Sequence, residues 1–165
     1  MAVNNGFTSW GLIMSQKIII DTDPGIDDTM AIFFALNSPE IDVLGLTTVY
    51  GNTSTDQGTI NALRILEIAL RTDIPVYAGA DKPLESEYTG KGEFVHGHDG
   101  QGNTNLKAPS IKAATGSAVD FLEKTIRENP GEVILVPIGP LTNIAELLIK
   151  NPEIAKDIKE IILMG

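Results

Sequence analysis

The chain has 165 residues, enough for one domain with a sizeable core, and 42% of them are hydrophobic, as in a globular protein. Its formal net charge is -10, from 12 basic and 22 acidic side chains, so no basic surface is available for nucleic acid or an anionic membrane. The absence of cysteine excludes disulfides and thiolate chemistry. With only two histidines, a bound metal is better predicted as Mg²⁺ or Ca²⁺ on carboxylates than as zinc.

The first 16 residues differ from the rest of the chain. They carry no positively charged side chain and no continuous apolar core, so they do not form a signal peptide. No apolar stretch approaches the ~20 residues that a membrane span needs. We therefore expect a disordered extension over 1–16, a domain over 17–165 and a cytoplasmic location.

Strands and helices are predicted to alternate from residue 17 onward. An isoleucine-rich run predicts a first strand, over 17–22, that is buried on both faces. The other predicted strands are 42–49, 74–79, 132–136 and 158–164. The predicted helices are 26–37, 55–71, 115–129, 140–150 and a short one over 152–156. Residues 80–112 show no clear periodicity, which is typical of a binding loop or lid.

This alternation predicts an α/β fold, a mostly parallel open sheet with helices on both faces. In such sheets, ligands bind beyond the carboxyl ends of the strands. That rule places four segments on one rim: 21–28, 50–54, the segment from 79 onward, and 137–140. Because the fifth predicted strand has no helix after it to cover it, we expect the domain to be truncated there.

Four aspartates stand within eight residues at the end of the first strand: Asp21, Asp23, Asp27 and Asp28. Alternation directs the first two to the same side of the strand, and a Pro-Gly pair turns the chain so that the other two fold back. Four like charges repel one another, and a helix N-terminus offers only about half a positive charge. A divalent cation offsets the rest, whereas capping the helix needs only one aspartate.

The same stretch resembles the signature of the inosine–uridine-preferring nucleoside hydrolases, whose fold is Rossmann-like. Further motifs agree in order and spacing: Thr-Thr-Val-Tyr-Gly-Asn at 47–52, His-Gly-His-Asp-Gly at 96–100, and the segments 135–145 and 161–165. Asp-x-Asp after a strand is also similar to the Mg²⁺-dependent haloacid-dehalogenase phosphotransferases. That pattern, however, has Thr or Val at the position of Gly25.

The resemblance implies hydrolysis of the N-glycosidic bond of ribonucleosides, which gives ribose and a free base by means of a calcium-bound water. It implies that Asp23 is both the general base and a calcium ligand. Asp28 and the backbone carbonyl of Ile138 are the other implied ligands.

The substrate-binding residues that the resemblance implies are Asp27, Asn52 and His96, and it implies Asp21 as a supporting acid. Without it, Asn52 reads as a turn residue and His96 as a solvated loop histidine. Family members are about twice as long as this chain and commonly form homo-oligomers. We therefore expect the chain alone to be weakly active or inactive, or to be a non-catalytic remnant that binds a ligand or metal.

Overall fold

A computed structural model describes residues 15–88 and 92–164, and these form a five-stranded, parallel sheet with helices on both faces. The strands are β1 (Gln16–Thr22), β2 (Ile41–Thr48), β3 (Val76–Ala78), β4 (Val133–Pro137) and β5 (Glu160–Ile161). Their order in the sheet is β3-β2-β1-β4-β5, which places β1 at the centre. The predicted fold class is confirmed.

The helices are α1 (Ile26–Leu36), α2 (Thr55–Ile68), α3 (Glu93–His96), α4 (Ala118–Glu128) and α5 (Thr142–Lys150), followed by a 3-10 helix (Pro152–Asp157). None of the described helices is long and apolar enough to cross a membrane. Ile18 and Ile20 of β1 pack against α1 and α2, and Ile19 packs against α4 and α5. Successive side chains of a strand point to opposite faces, so the isoleucine run supplies both halves of the core.

Several element boundaries differ from the prediction. β1 begins at Gln16, inside the predicted extension, and residues 1–14 of that extension lie outside the described residues. α2 ends at Ile68, because Leu70 has a left-handed φ of 57° and the Arg71 N–H donates back to the Leu66 carbonyl. This hydrogen bond is the C-terminal closure of a Schellman motif, and it stops the helix before residue 71.

The last strand and the last α-helix are also shorter than predicted. β5 covers only Glu160–Ile161, although Ile162 and Met164 still donate to β4 carbonyls. α5 begins at Thr142 rather than at residue 140, and in the segment before it the N–H groups of residues 138 and 139 donate to the Asp21 carbonyl. The rim loop therefore extends further than the sequence pattern indicates.

The core under α1 gives a first test of the fold. Ile32 is fully buried between α1 and the sheet, whereas Met30 on the same helix is largely exposed. Ile32→Ala is expected to lower the free energy of unfolding by about 2–5 kcal/mol, because it removes buried methylenes and leaves a cavity. Met30→Ala is the matched control, expected to change it by less than about 0.5 kcal/mol. Urea unfolding followed by circular dichroism measures both, and equal losses would contradict this packing.

Candidate active site

The carboxyl ends of β1, β2 and β4 meet on one rim and surround an open cleft of about 280 Å³. The residues that line it come from the β1–α1 turn, the first turn of α1 and the loops after β2, β4 and β5: Asp23, Asp27, Asp28, Asn52, Ile138, Gly139, Pro140 and Met164. Ligands of open parallel sheets bind in this position. Five of the seven predicted site residues therefore share one cleft, and the other two, Asp21 and His96, lie outside that lining.

Asp23 follows the last residue of β1 and is only 6% exposed. Its Oδ2 accepts a hydrogen bond of 2.7 Å from the Asn52 N–H. The backbone around it leaves no spare room, since a Cβ on Gly51 would lie 1.9 Å from Oδ2 and one on Gly139 would lie 2.8 Å from Oδ1. Burial, together with the nearby charge of Asp28, raises the pKa of Asp23 to about 7. A carboxylate with such a pKa suits general base chemistry near neutral pH.

Asp28 lies in the first turn of α1 and is also buried. Its Oδ1 accepts from the Thr22 hydroxyl at 2.5 Å, and its Oδ2 accepts from the Gly25 N–H and the Asn52 amide, each at 3.2 Å. The bond from Gly25 is the reciprocal half of a capping box, so Asp28 helps to start α1. Burial raises the pKa of Asp28 despite these donors. Asp28 therefore both caps the helix and presents a carboxylate to the cleft.

Asp27 and His96 form a second, looser pair at the start of α1. The Asp27 side chain is exposed to solvent, and its Oδ1 lies 3.8 Å from His96 Nδ1. His96 is buried, and its Nδ1 accepts a hydrogen bond of 3.2 Å from the Ile26 N–H. Because Nδ1 is an acceptor, this geometry corresponds to the neutral tautomer with the proton on Nε2. His96 thus caps α1 beside Asp27, and its contact with substrate stays a prediction.

The Asp21 side chain is buried at the carboxyl end of β1, outside the lining of the cleft. Its Oδ1 accepts from the Thr47 hydroxyl at 2.5 Å and from the Asn143 amide at 2.7 Å, while Oδ2 has no hydrogen-bond partner among the described residues. Burial raises the pKa of Asp21 to about 6. Its backbone carbonyl accepts from the Ile138 N–H at 2.8 Å. Asp21 therefore joins β1, β2 and the β4 loop, an arrangement suited to a supporting acid.

Sequence reasoning missed the neutral polar side chains that hold these acids. Thr22, Thr47 and Asn143 donate to the buried aspartates, and Asn61 of α2 donates to the turn between them. The available signal was a polar side chain on an otherwise apolar face. Tyr88 was missed as well; its hydroxyl donates to the Gly51 carbonyl.

The donor set fits a hard divalent cation in kind. Asp23, Asp28 and Ile138 border the same cleft, and Ca²⁺ and Mg²⁺ prefer carboxylate and carbonyl oxygens of the kind that these residues carry. Within 15–88 and 92–164, however, no three His, Asp or Glu side chains converge to hold a metal ion by themselves. Since Ca²⁺ takes about six to eight oxygen ligands, the remaining ones have to come from water, substrate hydroxyls or residues beyond those described.

The parallel sheet, with carboxylates clustered beyond its central strand, defines an α/β protein with a candidate ligand site at that rim. The model of the family described as inosine-uridine preferring nucleoside hydrolase matches residues 18–165, and the chain belongs to this family. The resemblance seen in the sequence is thereby confirmed, and it displaces the haloacid-dehalogenase alternative.

Individual relatives agree with this assignment. A probable uridine nucleosidase 2 of Arabidopsis thaliana is 50% identical over 151 residues, which are 91% of this chain and 47% of the relative. A solved plant nucleoside hydrolase, PpNRh1, superposes with a TM-score of 0.87 at 50% identity. The match covers 91% of this chain and 48% of PpNRh1. A purine-preferring ribonucleoside hydrolase from Gardnerella vaginalis superposes with a TM-score of 0.87 at 38% identity. The match covers 91% of this chain and 48% of that hydrolase. The chain thus spans about half the length of these relatives.

Proposed function

We propose that this chain carries the calcium-binding and ribose-binding side of a nucleoside N-ribohydrolase. The observation that carries the proposal is the pair of buried, mutually repelling carboxylates, Asp23 and Asp28, at one cleft with the exposed Asp27. A site with this charge is unfavourable when empty and favourable around positive charge. Both a divalent cation and the positively charged sugar of a glycosidic transition state match it.

Asp23 is the general base in this proposal. Burial raises the pKa of the Asp23 carboxyl in the metal-free cleft, and a cation bound beside it would favour the ionised form, which can take the proton from an attacking water. The Asn52 N–H holds Oδ2, while Gly51 and Gly139 leave room for the carboxylate between them. Calcium, held by Asp23, Asp28 and the Ile138 carbonyl, would lower the pKa of water and orient the sugar.

The exposed Asp27 is the proposed partner of the ribose hydroxyls, because its carboxylate is free to accept two hydrogen bonds at the cleft. As the bond to the base breaks, the ribose gains oxocarbenium character, and the clustered carboxylates stabilise that charge. The Asn52 amide nitrogen already donates to Asp28 and to the Asp23 carbonyl. Its remaining contribution to substrate is therefore through the amide oxygen. His96, beside Asp27, is the proposed contact on the base side.

The chain alone is proposed to turn over slowly or not at all. Its cleft is open, and the described protein atoms offer too few ligands to complete a calcium shell. Calcium binding without turnover when this segment stands in a complete relative would define the alternative, a non-catalytic ligand- or metal-binding protein on the same scaffold. We also propose action in the cytoplasm, assembly into homo-oligomers and a role in purine or pyrimidine salvage.

The decisive experiment transfers this segment into a complete relative. Residues 15–164 replace the matching 47% of the probable uridine nucleosidase 2 of Arabidopsis thaliana, to which the chain is 50% identical. Ribose release from uridine and inosine is measured with a reducing-sugar assay, in calcium and in EDTA, alongside the unmodified relative and the chain alone. Calcium-dependent release by the chimera supports the proposal. A folded chimera that releases no ribose, although the unmodified relative does, would refute it.

A further inference from the structure

Among the described residues of α2, only Asn61 has a side chain that hydrogen-bonds to two loops of the candidate site. It is 0% exposed. Its amide nitrogen donates to the Pro24 carbonyl at 3.1 Å and to the Asp99 carbonyl at 2.8 Å. Pro24 lies in the acidic turn between Asp23 and α1, and Asp99 lies in the loop that follows His96.

The amide of Asn61 is fully used. Its oxygen accepts from Gln57 at 2.9 Å and, more weakly, from Arg64 at 3.4 Å, both on α2. These donors fix the flip of the amide, so that its NH₂ group points to the two loop carbonyls. A buried carbonyl without a donor is unfavourable, and a hydrophobic residue at position 61 would leave both loop carbonyls without this donor.

The backbone packs closely around the Asn61 amide, as expected where α2, the acidic turn and the His96 loop meet. A Cβ on Gly100 would lie 3.0 Å from the Asn61 nitrogen and 3.2 Å from the Pro24 carbonyl. One turn earlier on α2, a Cβ on Gly58 would lie 3.3 Å from the Pro24 ring. Residues 58 and 61 share a helix face, and that face therefore receives the acidic turn at close range.

We infer that Asn61 is a positioning residue that joins the acidic turn and the His96 loop into one rigid unit. The Pro24 carbonyl fixes the peptide that leads into α1, whose first turn carries Asp27 and Asp28. The Asp99 carbonyl fixes the far end of the loop whose His96 accepts from the Ile26 N–H. Asn61 touches no reacting group and acts only through these two backbones.

Hydrogen exchange on the 165-residue chain, observed by NMR, tests this junction. The reporters are the amides of Ile26, which donates to His96, and of Gly102, which donates to the His96 carbonyl. In Asn61→Ala, both are expected to exchange about tenfold faster relative to the β1–β4 ladder, because the loop and turn open locally. Ile65→Val is the control; it reduces core packing in the same helix without removing a polar contact. In Ile65→Val, the exchange rates of the two reporters and of the β1–β4 ladder should rise by the same factor.

Two further readouts separate positioning from general destabilisation. The imidazole ¹⁵N shifts of His96 are expected to show the single Nε2–H tautomer in the original chain and a mixture in Asn61→Ala. Calcium titration of the chimera by calorimetry is expected to show an affinity about tenfold weaker in Asn61→Ala, and this measurement alone rests on the proposed function. If the chimera with Asn61 intact takes up no calcium, the proposed function is in doubt, while exchange and tautomer still decide the role of Asn61.

If Asn61→Ala does not fold, Asn61→Asp serves instead. It keeps the size and the acceptors for Gln57 and Arg64 but loses the amide donors to the loop carbonyls. The same local acceleration and tautomer mixture are expected. Unchanged relative exchange at Ile26 and Gly102, with a single His96 tautomer, would overturn the inference.

Discussion

Asp23→Asn is expected to abolish hydrolysis and, at the same time, to stabilise the fold. In the chimera, ribose release should fall by about 10³-fold or more, because the variant loses the proposed general base and a proposed calcium ligand. At pH 8 without calcium, the free energy of unfolding of the 165-residue chain should rise by about 1–3 kcal/mol. The reason is that the introduced amide keeps an acceptor for the Asn52 N–H but carries no charge beside Asp28.

The matched control for this pair of measurements is Asp27→Asn. Its side chain is exposed, so removing its charge is expected to leave the stability nearly unchanged. Ribose release should still fall, because Asp27 is the proposed partner of the ribose hydroxyls. Guanidinium unfolding measures the free energy of unfolding of each variant, and the reducing-sugar assay measures its rate of ribose release. Equal stability of Asp23→Asn and the original chain at pH 8 would show that the acid is not held under electrostatic strain.

The central part of the fold follows from local sequence. A run of isoleucines specifies a strand buried on both faces, and β1 is that strand. The Pro-Gly turn and the acidic start of α1 are equally local, because φ restriction, capping and helix polarity act over a few residues. Local patterns alone therefore suffice to place Asp23, Asp27 and Asp28 on one rim.

The contacts that hold the site could not be predicted in the same way. Asn143 reaches Asp21 across 122 positions, and Asn61 reaches Pro24 across 37. Neither pairing has a periodic signature, since a single polar residue on a helix gives no indication of its partner. The carbonyl of Asp21 likewise accepts from the N–H groups of residues 138 and 139, which lie far along the chain.

His96 shows how structure refines a motif. Its loop motif predicts a residue at the substrate, whereas its Nδ1 is engaged with the N–H of Ile26. The ring can serve substrate only through its other edge, Nε2–H, as a donor. A motif identifies the residue, but the tautomer depends on a backbone donor 70 positions away.

The stability of the metal-free chain is expected to fall as the pH rises from 5 to 8. The pKa of Asp23 is raised from 3.8 to about 7, so the folded state holds a proton that the unfolded state has already released. In this window the folded state binds more protons, and the free energy of unfolding therefore decreases with pH. Asp21 and Asp28, whose pKa values burial also raises, add to the same trend. The decrease should amount to about 2–3 kcal/mol.

The range from pH 5 to 8 separates the titration of Asp21, Asp23 and Asp28 from that of carboxyls with lowered pKa values. Carboxyls whose pKa values are lowered by salt bridges or hydrogen bonds, such as Asp73, Glu123 and Glu132, are already ionised in both states at pH 5. Urea unfolding at pH 5, 6, 7 and 8 in EDTA gives the slope, and Asp23→Asn should flatten it. Millimolar calcium should flatten it as well, because a bound cation stabilises the ionised pair. A slope that is the same in the variant and the original chain would assign the pH dependence to other groups and remove the electrostatic argument for a cation between Asp23 and Asp28.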